Sequence, residues 1–133
     1  MSFEAGDTWQ PREPNSHLWI VVTDPQNDPS HVVSVNLTTY KDDGKRLIDD
    51  ACVLERGDHP FIKHRSCVLY EKAIVHPVSQ LEQAYKKGLI TCHSRLTPAV
   101  LLRVREGFLK SEYAKPRHQR LVEPYLSPPE SST

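Results

Sequence analysis

The sequence predicts a mainly β fold with added helices, in which a small, strongly curved antiparallel sheet carries helices on one side or end. Three observations predict it. Short runs of β-branched and aromatic residues follow one another up to Val75. Proline, glycine, asparagine and aspartate clusters separate them. Apolar residues take up helical spacing only after Pro77. At 133 residues the chain is long enough for one core and too short for two. Residues 1–123 therefore read as one domain. The proline- and serine-rich stretch 124–133, PYLSPPESST, reads as a disordered tail.

Gly6-Asp7-Thr8-Trp9 reads as an opening strand introduced by a turn. Residues 10–16, QPREPNS, read as a loop, because Pro11 and Pro14 remove donors and Asn15-Ser16 favour a turn. HLWIVVT over 17–23 is too continuously apolar for a half-exposed strand and suits a central one. Asp24 to Pro29 make a hairpin-type loop, and 31–38 form the next strand. Residues 40–50, YKDDGKRLIDD, read as an exposed connection with a short helical turn at 46–48. Ala51 to Leu54 suit a further short strand, and 66–75 a long one. Val78, Leu81, Ala84 and Tyr85 then recur at helical spacing, with Gly88 suited to the residue just past the helix. Thr97-Pro98 supplies an N-cap and a first-turn proline for a helix over 98–110, packed by Leu101, Val104 and Phe108. There is no internal repeat.

Composition narrows the function. Basic and acidic residues number 17 each, which excludes a globally basic nucleic-acid binder but leaves room for a local basic patch. Cys52, Cys67 and Cys92 are odd in number and widely spaced, so they read as reduced thiols of a cytoplasmic protein. MSFEAGDTW has neither the charged nor the apolar region of a secretion signal, and no apolar run has the length of a membrane span.

Chemistry concentrates in Gly57 to Val75. Asp58, His59, Lys63, His64, Arg65 and Ser66 crowd around Phe61 and Ile62, and this polar loop feeds directly into the strand that begins at Ser66. A rigid sheet presents reactive side chains in this way at its edge. Imidazoles transfer protons near neutral pH, and Lys63 and Arg65 suit a phosphate. The competing reading is an ordinary charged turn with solvated histidines. Cys52, His59, His64, Cys67 and His76 match no usual zinc spacing, and Cys67 sits in an apolar strand that suits a structural thiol.

The order of motifs resembles the PemK/MazF-like toxin family. Gly6-Asp7-x-Trp9 is similar to that family's opening strand, HLWIVVTDP to its second, and VVSVNLTT to a third that ends on a hydroxyl pair. FIKHRSCVLYEKAIV is similar to the later segment in which a serine opens a long strand. The resemblance implies an SH3-like barrel with added helices. It also implies a homodimeric endoribonuclease that cuts single-stranded RNA without metal or cofactor and is held inactive by an antitoxin protein. Thr38 matches the family threonine, His17 stands where the family has arginine, and Glu71 falls near a carboxylate of the later strand. The expected catalytic residues are thus Thr38, His17, His64 and Glu71, and the expected substrate-binding residues are Lys63, Arg65, His59 and Ser66. The alternative is a non-catalytic SH3-like module that binds or inhibits a protein or nucleic-acid partner.

Overall fold

A computed structural model describes residues 3–26, 30–40 and 49–126. Six strands form one antiparallel sheet, curled into a half-barrel: β1 (Thr8–Pro11), β2 (Trp19–Val21), β3 (His31–Thr39), β4 (Val53–Leu54), β5 (Ser66–Pro77) and β6 (Ile90–His93). Their spatial order is β4-β5-β3-β2-β1-β6. Three helices accompany them, α1 (Val78–Lys86), α2 (Pro98–Lys110) and α3 (Pro116–Val122), followed by a 3-10 turn over Glu123–Tyr125.

The central strands are apolar on both faces because the sheet is packed on both. Leu18, Ile20 and Val22, with Val33, Val35 and Leu37, meet Val100, Val104 and Phe108 of α2 and Val122 of α3. The alternate residues Val21 and Val32 join Phe3, Trp9 and Ile90 under Val78 and Leu81 of α1. Each such aliphatic side chain contributes about 1.5–3 kcal/mol when fully buried. The helices therefore lie on both faces rather than on one side or end. Trp9 and Trp19 stack with centroids 5.3 Å apart, a cross-strand pair in the β1–β2 register.

β5 breaks its own alternation. Asn36 opposes Leu69 and Ser34 opposes Ile74, so two steps along β3 span five along β5. The bulge leaves Glu71 and Lys72 exposed and turns Tyr70 and Ala73 inward. Tyr70, fully buried, donates its hydroxyl to the Val104 carbonyl at 2.7 Å and so ties the bulge to α2.

The long strand starting at Ser66 and the helix over 98–110 stand where the sequence puts them, and Thr97 caps that helix by accepting from Val100 N–H at 3.3 Å. Other boundaries move. β1 starts at Thr8, after a turn in which Gly6 has φ 95°, and runs into the stretch read as a loop. β2 is confined to Trp19–Val21 and β4 to Val53–Leu54. The turn expected at 46–48 lies outside the described residues. The connection read as exposed ends on a buried carboxylate, since Asp49 accepts from Ser111 Oγ–H at 2.6 Å. β6 and α3 were not anticipated. The packed chain also runs past residue 123: Tyr125 Oη bonds Asp24 N and Gln26 Nε2 at 3.0 and 2.6 Å, and the Arg105 guanidinium lies 4.2 Å from its ring. Among the described residues no helix is long and apolar enough to cross a membrane, and none of the three cysteines forms a disulfide.

Candidate functional site

One end of the sheet collects the ends of several elements. β3 terminates there at Thr39, β6 terminates at His93, and the chain enters β2 through Asn15 to Leu18. Antiparallel strands bring such sequence-distant positions to one edge. The loop between β4 and β5 folds over them and closes a cavity of about 710 Å³.

That loop is held at several points. Asp58 accepts from Glu55 N–H at 2.7 Å and returns its own N–H to the Glu55 carbonyl at 3.0 Å, around Gly57 at φ 105°. A glycine suits this left-handed position. Arg103 of α2 donates to Asp58 Oδ1 and to the Val53 carbonyl, at 3.1 and 3.0 Å. At the other end Tyr40 N–H bonds the Arg65 carbonyl at 2.8 Å, which seats the loop beside the end of β3.

His59 is the loop's internal pin. It is buried, and its Nδ1 accepts the Phe61 N–H at 3.0 Å. Its Nε2 lies 2.5 Å from the Ser94 carbonyl. The carbonyl requires a donor, so the ring is the neutral Nε2–H tautomer with both nitrogens committed. His59 therefore positions the loop against the end of β6 and has no nitrogen left for a ligand. Ile62 is buried beneath, and the Phe61 ring lies 5.2 Å from His93 at 57°.

Of the expected residues, His17, Thr38, His59, Lys63, His64 and Ser66 all line the cavity. His17 and His64 are exposed and make no side-chain hydrogen bond among the described residues, which leaves their imidazoles open to a ligand. Ser66 donates its hydroxyl to the His64 carbonyl at 2.9 Å and fixes the turn into β5. Arg65 and Glu71 do not join them. The Arg65 Nε–H donates to Glu55 at 2.6 Å on the outer surface, and this pairing pushes its pKa up. Glu71 sits in the bulge, five residues beyond Ser66 and so about 16 Å along the strand.

Phe61, His93 and Ser94 also line the cavity, and sequence reasoning assigned them no role. His93 is held through Nε2 by Gln10 Oε1 at 3.1 Å, while Gln10 Nε2 donates to the Ser16 carbonyl at the same distance. One side-chain amide thus links β6, β1 and the turn before β2. No local signal singles out His93, whose place depends on the pairing of β6 with β1.

Among the described residues the wall carries no negative group: four histidines and Lys63 line it, and no aspartate or glutamate does. With Lys63 and no carboxylate, such a wall suits an anion. Among the described residues no group of three or more His, Cys, Asp or Glu could hold a metal ion. No protein-family profile, curated protein or solved structure matches the chain.

Proposed function

We propose that the cavity binds single-stranded RNA and cleaves it by attack of a ribose 2′-hydroxyl on the adjacent phosphorus. The observation that carries this reading is the wall itself, with open imidazoles at His17 and His64, a hydroxyl at Thr38, an ammonium at Lys63 and no carboxylate. One imidazole takes the 2′-hydroxyl proton as the new P–O bond forms. The other, protonated, gives its proton to the departing 5′-oxygen. The products are a 2′,3′-cyclic phosphate and a 5′-hydroxyl end. Lys63 and the Thr38 hydroxyl face the charge that develops on the phosphorane. Phe61 beside His93 offers a π-surface to an unstacked base, which favours a single strand over a duplex.

On this reading the half-barrel is the SH3-like barrel of the PemK/MazF-like toxins. The stretches that resemble the family's strands fall on β1, β2, β3 and β5 of one sheet. The same reading brings a homodimer, an antitoxin partner and a cytoplasmic site of action, to which three cysteines outside any disulfide are suited.

A second reading, a non-catalytic binding module, is favoured by one observation. Lys63 is the only lysine or arginine lining the cavity among the described residues, with Arg65 turned away to Glu55. Incubating the chain with mixed-sequence single-stranded RNA in the presence of a chelator separates the two. Fragments with cyclic-phosphate ends support cleavage. Salt-sensitive RNA binding without fragments supports the module, and the absence of both removes RNA as the ligand.

A further inference from the structure

The part of β5 beyond the bulge faces a second depression, and no residue lines both it and the histidine-rich cavity. It is lined by Ala73, Ile74 and Val75 of β5 and by Lys115, Arg117, His118 and Leu121 in and beside α3. Ile74 and Val75 are 37% and 41% exposed, an unusual fate for aliphatic residues in the longest strand of the sheet. Among the described residues the strand edge is unpaired as well. β4 pairs only with Ser66 and Cys67 of β5. From Leu69 to Pro77 no strand of the described residues pairs on the side away from β3. An unpaired edge is a template for another strand.

Two features of this lining point to what would fill it. Lys115 and Arg117 form no ion pair among the described residues, so the groove carries uncompensated positive charge beside apolar residues. His118 is 5% exposed, yet its Nδ1 has no hydrogen-bond partner. A buried polar atom is ordinarily matched by a partner. Burial, reinforced by Arg117 and Lys115, holds its pKa below the ordinary histidine range.

We propose that this groove binds an extended acidic peptide of a partner protein, which adds as a strand to the unpaired edge of β5 and sets its carboxylates against Lys115 and Arg117. Neighbouring residues of a strand face opposite ways, so with its carboxylates on the α3 side the peptide sets its alternating aliphatic side chains beside Ile74, on the other face of the sheet. The site stands whether or not the cavity at the other end of β5 acts on RNA.

Panning a displayed library of random linear peptides against the full chain tests it. The enriched peptides are expected to alternate aliphatic residues with aspartate or glutamate. Synthetic copies should bind Lys115→Glu and Arg117→Glu roughly tenfold or more weakly. Both side chains are exposed, so the variants should melt like wild type. Hydrogen exchange should show new protection of Glu71 to Val75 in the complex. Enriched peptides without acidic residues, unchanged affinity for Arg117→Glu, protection elsewhere, or no enrichment would each overturn the proposal. A parallel titration with inorganic phosphate covers the remaining anion: if phosphate alone displaces the peptide at millimolar concentration, the groove is a phosphate site.

Discussion

Gly107→Ala opposes two effects of different sign, and the structure decides between them. Gly107 lies inside α2, where alanine ordinarily adds up to about 1 kcal/mol of helix stability. A Cβ built at this position would lie 2.3 Å from Tyr70 Oη, 2.7 Å from Cys52 Cβ and 3.1 Å from the Ala51 carbonyl oxygen. Two of these neighbours are at or beside the backbone, and Tyr70 is fully buried and bonded to the Val104 carbonyl. Overpacking costs about 1–3 kcal/mol. Displacing the tyrosine hydroxyl leaves a buried polar pair unmet, for about 1–3 kcal/mol more. Mid-range values less the helix gain give a net loss of about 3 kcal/mol, or a fall in Tm of roughly 10 °C. Urea and thermal unfolding of the variant measure it. A variant as stable as wild type, or more so, would refute the close approach of α2 to the start of β4.

Three further perturbations follow from the same geometry. His76 is buried, its Nε2 lies 2.9 Å from the Ser34 hydroxyl, and desolvation, with a smaller effect of His31, lowers its pKa from 6.5 to about 4. Because the unfolded chain takes up this proton first, stability is full above pH 6.5 and is lost as pH falls toward 4. Between pH 7 and 5 the loss is about 2 kcal/mol, and urea titrations of His76→Gln should show a shallower fall than wild type. Lys63→Ala should weaken RNA binding and reduce its salt slope by about one. Arg65→Ala should leave both unchanged, with little effect on stability for so exposed a pair; equal effects of the two on salt-dependent binding would contradict the outward turn of Arg65. Tyr125→Phe removes the hydroxyl that bonds Asp24 N and Gln26 Nε2 and should cost about 1–2 kcal/mol in thermal melts, whereas an unchanged Tm would detach residues 124–126 from the fold.

Legibility from sequence followed the strength of the local pattern. β3, β5 and α2 were legible because each carries a long apolar period, and Thr97-Pro98 marks a helix start chemically. β6 has a short run, Ile90–His93, whose identity as a strand depends on pairing with β1, at the other end of the chain's sheet-forming sequence. No local signal reports that partner. The bulge in β5 was hidden for a related reason. Its extra residues, including Glu71, look like ordinary strand positions until the register with β3 is known. At the site, the convergence of His17, Thr38 and the loop from His59 to Ser66 was legible as antiparallel geometry. The separate fates of Arg65 and His59 were not, because they depend on Glu55 and on the Ser94 carbonyl, at opposite sides of the loop.

Cleavage of single-stranded RNA by His64→Ala and Thr38→Ala, read beside their thermal melts, tests the central claim most directly. Both side chains are partly or fully exposed, so both variants should melt near wild type. On the proposed chemistry His64→Ala loses a proton-transfer group, and its cleavage rate should fall by about 10²–10⁴-fold. Thr38→Ala should fall less steeply but well below wild type. Unchanged cleavage by both variants at unchanged Tm would contradict the assignment of this cavity as a catalytic site.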